Sequence, residues 1–216
     1  MEVKTTALLS TAYLGPVQYY TKLMKYKKVF IEAEENFQKQ SYRNRCIILA
    51  ANGILSLTIP VTKDQPKVKT KDIKIDNSLN WQNQHWTSIE SAYSSSPFFE
   101  FFMDDFQVFY EKKYQFLLDF NMEIQQFILH QLEIETELAL STSYTGNAPD
   151  CMTDFRETIH PKKRMQKRDQ DFNPHFYYQV FGDKFGFVPN LSIIDLLFNE
   201  GSNAENILLK SKGFRD

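Results

Sequence analysis

The sequence predicts a single α/β domain in which a mixed β-sheet with a β-hairpin is covered by amphipathic helices. Three observations predict it. The N-terminal stretch alternates β-compatible and helical segments, two apolar β-rich runs flank Asn52-Gly53, and from Trp81 onward apolar residues recur at helical spacing. At 216 residues the chain is long enough for one substantial core. Nineteen Phe and eleven Tyr predict that the core is aromatic.

Taken in order, "TALLSTAYL", around residues 5 to 13, reads as a strand. "YYTKLMKY" after Pro16 reads as a helix, and the β-branched run "VFIEAE" at 29 to 34 as a second strand. "RCIILAA" and "ILSLTIPV" flank Asn52-Gly53, which supplies two positive φ angles for a type I′ hairpin turn. "TKDIKIDN" at 70 to 77 alternates polar and apolar residues, as an edge strand with protective lysines does. Trp81, His85, Ile89 and Ala92 then share one helical face, and Pro97 ends that helix. The same spacing continues through Phe102, Phe106, Phe109 and Tyr110, and through Phe120, Ile124, Phe127, Ile128 and Leu132. It predicts two further helices or one bent one. "ELALSTSY" at 137 to 144 reads as a return to the sheet.

From about 145 to 173 periodicity disappears, and Pro149, Pro161, Pro174 and the basic run "KKRMQKR" predict a flexible loop. Near the end, Ser192 and Asp195 match the Ser-x-x-Asp capping box, with Gly201 at the C′ position of the helix they would start. A capping Asp195 and a site Asp195 are compatible where such a helix start faces a ligand.

A net charge of −2 gives no general attraction to nucleic acid or anionic membranes. Cys46 and Cys151 form no CxxC pair and read as free thiols of a reducing compartment, so the cytoplasm is expected. The start lacks the basic lead of a signal peptide, and no apolar run reaches the roughly 20 residues needed to span a bilayer. A membrane-embedded protein is therefore not expected. With no HExxH, no CxxC and no paired histidines, no metal site is expected. The glycine-rich phosphate signatures and the GxSxG elbow are missing, so no cofactor is indicated. A nucleotide-binding half-fold is left as an analogy from the strand, helix, strand opening.

Four segments carry candidate chemistry. Gln38 to Arg45 concentrates planar donors, suited to phosphate or carboxylate recognition or to a solvated loop. His85 is the best available general base, or a satisfied core histidine. Tyr13, Tyr19 and Tyr20 surround the first strand-to-helix turn, where α/β sheets commonly bind ligands. Asp154, Arg156 and His160 lie within seven residues of the loop, which reads as a closing lid or a charged linker.

Together, "AYLGPVQYY", "KQSYRNRCIILAANGILSLTIPV" with "WQNQHWTSIESAYSSSPFF", and "YYQVFGDKFGFVPNLSIIDLLFNEG" resemble the WbqC-like family of bacterial proteins. The resemblance runs through nearly the whole chain. It implies a cytoplasmic bacterial protein with no assigned chemistry, some members being encoded among genes for O-antigen or other surface-polysaccharide synthesis. The family-like positions are Tyr13, Pro16, Asn44, Arg45, Pro60, Trp81, His85, Tyr93, Pro97, Gln179, Ser192, Asp195 and Gly201. The first motif departs from the common form, in which a Gln-Pro pair and a second Pro flank the Tyr; Thr11-Ala12 and Gly15-Pro16 stand here. The combined expectation is a transferase for an activated sugar or acyl donor. His85 and Asp195 would be catalytic, and Tyr13, Asn44, Arg45, Trp81 and Tyr93 ligand-binding. The alternative is a non-catalytic scaffold that binds a protein partner.

Overall fold

The computed structural model describes residues 5–62, 66–162 and 167–213. Its centre is a parallel sheet of β1 (Thr6–Ser10), β2 (Lys28–Glu32), β7 (Glu137–Leu140) and β8 (Met152–Asp154), in the order β7-β2-β1-β8. Ala7, Leu9, Val29 and Ile31 are buried, as expected of strands covered on both faces. β1 and β2 are joined by helix α1 (Val17–Lys25), so the strand, helix, strand reading holds.

The hairpin of β3 (Arg45–Ala50) and β4 (Gly53–Thr58) is present, with Ala50 opposite Gly53. It forms a two-stranded sheet of its own, so the parallel and antiparallel pairings of the mixed fold lie in separate sheets. Its turn corrects the type I′ expectation: Gly53 has φ 107°, whereas Asn52 is not among the positive-φ residues. The turn is centred one residue earlier, on Ala51-Asn52, and only Gly53 needs left-handed freedom. The 70 to 77 stretch is a 3-10 turn, Thr70–Asp72, followed by a two-residue strand, β6 (Lys74–Ile75), paired with β5 (Val61–Thr62).

Three helices cover this framework: α2 (Trp81–Tyr93), α3 (Phe99–Glu111) and α4 (Leu117–Gln131). Trp81, His85, Ile89 and Ala92 face inward on α2 as their spacing requires. The second helical stretch is two helices, α3 and α4. A short α5 (Gly182–Phe185) leads to α6 (Ile193–Glu200), which ends at Gly201 with φ 54°, and to α7 (Ala204–Lys210). The Phe198 ring is fully buried on α6 and meets Tyr93, Phe99 and Phe106 edge-on, with centroids 5.2–5.3 Å apart.

The stretch expected to be loop from about 145 supplies β8, which pairs with β1. Phe155 and Ile159 follow it into the core. Further on, the fully buried Lys22 Nζ lies 2.6 Å from Asp169 and donates to the Asp171 carbonyl, while Lys25 pairs with Asp171 at 2.7 Å. The described parts of the segment are thus stitched to β1 and α1 by the chain itself. Residues 163–166 of the basic run lie outside the described residues. Among the described residues no helix is long and apolar enough to cross a membrane.

Candidate site at the carboxyl ends of the parallel strands

Numbered by chain position within the sheet, the strand order is third, second, first, fourth. The chain moves outward from β1 to β2 and β7, then returns to the other side of β1 as β8. That reversal opens a crevice beyond the carboxyl ends of β1 and β8, the place where open α/β sheets bind ligands. A cleft of about 220 Å³ lies there, lined by Glu35, Gln38, Arg43, Tyr144, Gly146, Asn147, Asp154, Arg156, Glu157, Thr158 and Lys167. Beneath it, Ser10, Thr11, Ala12, Tyr19, Arg43 and Arg156 border a pocket of about 10 Å³, room for a single water.

Two buried guanidinium groups organise the crevice. Arg43, 3% exposed, grips Glu35 with both ends: Nε donates to Oε1 at 2.8 Å and Nη2 lies 2.7 Å from Oε2. Nη2 also donates to Ser10 Oγ at 2.7 Å. Nη1 has no partner among the described residues, which leaves it as the donor available to a ligand. Arg156 spans Asp154 and Glu32, with Nη2 2.7 Å from Asp154 Oδ2 and Nη1 3.2 Å from Glu32 Oε2. It also donates to the Gly146 carbonyl and lies 5.6 Å from the centre of the exposed Tyr144 ring, fixing the rim. Behind it Glu32, fully buried, accepts from Ser141 Oγ and the Glu34 N–H. His160 is buried at the same edge; burial, then the Arg43 and Lys162 charges, lower its pKa, and Nδ1 accepts from the Lys162 N–H. No group of three or more His, Cys, Asp or Glu among the described residues is arranged to hold a metal ion.

The start of α1 is closed. Val17 N–H donates to the Leu191 carbonyl and Gln18 N–H to Asn190 Oδ1, both at 2.9 Å, and Tyr19 N–H donates to the Pro16 carbonyl. The helix end that would hold a pyrophosphate in a dinucleotide-binding unit is occupied by the protein. Ser192 Oγ donates to the Leu14 carbonyl, further securing this turn.

The residues expected from sequence form two interior clusters and an outer edge. Tyr13, Trp81 and His85 come together: Tyr13 Oη is 2.9 Å from His85 Nδ1 and 2.8 Å from Tyr110 Oη, and the Trp81 ring meets His85 edge-on. Desolvation lowers the His85 pKa to about 4, against a backbone hydrogen bond with Thr58 that favours the charged form, so the ring is neutral near pH 7. Tyr93 and Asp195 form the second cluster. Asp195 accepts from Tyr93 Oη at 2.9 Å, Tyr177 Oη at 2.7 Å and Gln179 Nε2 at 3.0 Å, and burial raises its pKa to about 6. This corrects the capping-box expectation. Ser192 does precede α6, but neither side chain caps it, because the Ser192 hydroxyl and the Asp195 carboxylate are taken by tertiary partners. Asn44 is buried, with Nδ2 donating to the Ile59 carbonyl, and Arg45 lies along the hairpin with Nε 3.1 Å from Thr58 Oγ1. None of these seven residues lines the crevice or its small pocket. The donor-rich 38 to 45 segment does reach it through Gln38 and Arg43, and the charged 154 to 160 segment through Asp154 and Arg156. Reasoning from sequence named the segments and passed over Glu32 and Glu35, whose only sequence signal is their place at and just after the end of β2.

This geometry defines an α/β protein with a polar crevice at the switch point of a parallel sheet. The chain matches the WbqC-like protein family over residues 11–165 and 152–207, and it belongs to that family. It is similar to an uncharacterised protein, Rv1507c, of Mycobacterium tuberculosis (strain ATCC 25618 / H37Rv): 26% identical, over 95% of this chain and 98% of the relative. No solved structure matches it.

Proposed function

We propose that this WbqC-like protein is a cytoplasmic transferase of bacterial surface-polysaccharide assembly, of the O-antigen type, that takes an activated sugar or acyl donor in the crevice. One observation carries the reading: Arg43, a buried guanidinium fixed by Glu35, keeps a free donor at the switch point of the sheet. Lys167 and Arg168 line an adjoining cleft that shares Thr158 and Lys167 with the crevice, which gives the anionic carrier of such a donor a cationic neighbour. For a glycosyl donor, an acceptor hydroxyl oxygen forms the new bond to the anomeric carbon. The bond to the phosphate oxygen breaks, its electron pair leaves with the phosphate, and the acceptor proton passes to a crevice carboxylate, for which Asp154 is placed. Arg43 and Arg156 here take the ligand-holding part expected of Asn44 and Arg45. His85 and Asp195 brace the β1–α1 turn from behind, through Tyr13 and through α6, and that turn supplies Thr11 and Ala12 to the small pocket.

A thermal-shift screen of nucleotide sugars and acyl donors tests the reading. A donor at about 100 times its Kd stabilises the fold by roughly 2.7 kcal/mol. No upward shift with any of them counts against it. The second reading, a non-catalytic scaffold with a protein partner, is favoured by Phe101 and Val108, 74% and 58% exposed and seven residues apart along α3. It predicts binding lost on Phe101→Ser with donor stabilisation unchanged.

A further inference from the structure

We propose that the crevice binds a neutral polyhydroxylated ring, a monosaccharide unit, through its hydroxyl groups; this names the ligand class for the donor site proposed above and rests on that reading. Charge balance is the first ground. Among the described residues lining the crevice, Arg43, Arg156 and Lys167 are each paired with a carboxylate, Glu35, Asp154 and Glu157 respectively, and Arg156 also with Glu32 behind it. A phosphate or carboxylate entering this lining meets guanidinium groups already paired with carboxylates.

Hydrogen-bond polarity is the second ground. The lining presents carboxylate acceptors together with donors, Arg43 Nη1 among them, and the side-chain amides of Gln38 and Asn147 offer both. A hydroxyl group both donates and accepts, whereas an anion only accepts. Neighbouring hydroxyls on one ring can therefore bridge a carboxylate and a guanidinium that are held side by side. Third, the closed α1 start removes the usual phosphate seat, so the pocket behind the switch point is left to the uncharged part of a ligand. Tyr144, 60% exposed at the rim, adds a flat apolar face of the kind a sugar ring covers.

The full-length protein is to be tested with neutral hexoses, glucosamine and glucuronate. Saturation-transfer NMR and calorimetry give the readout. At least one neutral hexose is expected to bind, with glucuronate, whose charge lies on the ring that enters the crevice, weaker by roughly tenfold or more, the size of one hydrogen bond to a charged group. Gln38→Ala and Asn147→Ala, both on the exposed rim where folding does not depend on them, are expected to weaken the hexose by a few-fold up to roughly tenfold. Tighter binding of glucuronate, or of glucosamine alone, overturns the proposal. Silence of every sugar while a nucleotide-linked or acyl donor still shifts the melting curve overturns it and leaves the transferase reading standing. Hexose binding with no donor active in the screen supports it and removes the transferase.

Discussion

The two tyrosine clusters behind the β1–α1 turn and the crevice at Arg43 all bury ionisable side chains, yet they end differently. Asp195 accepts from three side chains, and the Tyr13 hydroxyl is shared between Tyr110 and His85. Tyr177 and Gln179 border a separate pocket of about 140 Å³ near α5, but the Tyr177 hydroxyl is spent on Asp195 and the Gln179 amide on Asp195 and Val188. Arg43 is equally buried and bidentate to its acid, but a terminal nitrogen is left over and a cleft of about 220 Å³ adjoins it. A polar group whose partners are all internal fixes helices relative to one another. One with a spare donor beside open space is available to a ligand. Burial does not separate the two cases; a spare donor beside open space does.

The largest expected effect breaks the interior side of that comparison. Asp195→Leu leaves the Tyr93 and Tyr177 hydroxyls and the Gln179 amide without their acceptor, at about 1–3 kcal/mol each where the group stays dry. Urea denaturation should show a loss on the order of 3–5 kcal/mol. A loss below about 1 kcal/mol means that the cluster does not hold α2, α6 and the 177 to 179 segment together.

Next in size are two pH dependences of opposite sign. Burial raises the Asp195 pKa to about 6 in the folded state, so the folded protein holds the extra proton between about 4 and 6. Stability from this group is full below 4 and is lost as pH rises to 6. Burial lowers the His85 pKa to about 4, so here the unfolded chain holds the extra proton. Stability is full above about 6.5 and is lost as pH falls to 4. Each contribution is about 3 kcal/mol, and in the native protein they largely cancel. Asp195→Asn should expose the rise with pH and His85→Gln the fall, both read as midpoints of denaturation at pH 4.5 and 6.5. The same slope in both variants contradicts the assignment.

What was legible in the sequence follows the same division. The apolar spacing of Trp81, His85, Ile89 and Ala92 dictates an inward helical face, and the runs flanking Asn52-Gly53 dictate a hairpin, because each depends on neighbours along the chain. β8 was hidden because three residues at a sheet edge carry too little alternation to register. The Ser192 and Asp195 pattern fits a cap locally, but donors 102 and 18 residues away take the carboxylate instead. At the site, sequence points to the donor-rich segment and not to the residue within it: Arg43 stands just before β3 and turns to the sheet end, while Arg45 pairs along the hairpin. The acids that hold the two arginines, Glu32 and Glu35 around the end of β2 and Asp154 at the end of β8, carry no motif.

A milder substitution sharpens the crevice side. Replacing the whole pair, Arg43→Leu with Glu35→Leu, removes two compensating buried charges together, and stability should change by only about 1 kcal/mol in either direction. Stabilisation by whichever donor or sugar binds the native protein should vanish. If the double variant keeps that stabilisation, the pair belongs with the structural clusters.

The smallest effect separates Arg43 from its neighbour two residues on. The Arg45 guanidinium lies against Thr58 Oγ1 on the half-exposed side of the hairpin, where water replaces the contact when it is cut. Arg45→Ala should shift stability by no more than about 0.5 kcal/mol, and ligand-induced stabilisation should match the native protein's. The comparison rests on that second number. Loss of ligand stabilisation in Arg45→Ala with the fold intact moves the site to the outer face of the hairpin. An unchanged response, beside its loss in the Arg43 and Glu35 double variant, fixes it at the carboxyl ends of β1 and β8.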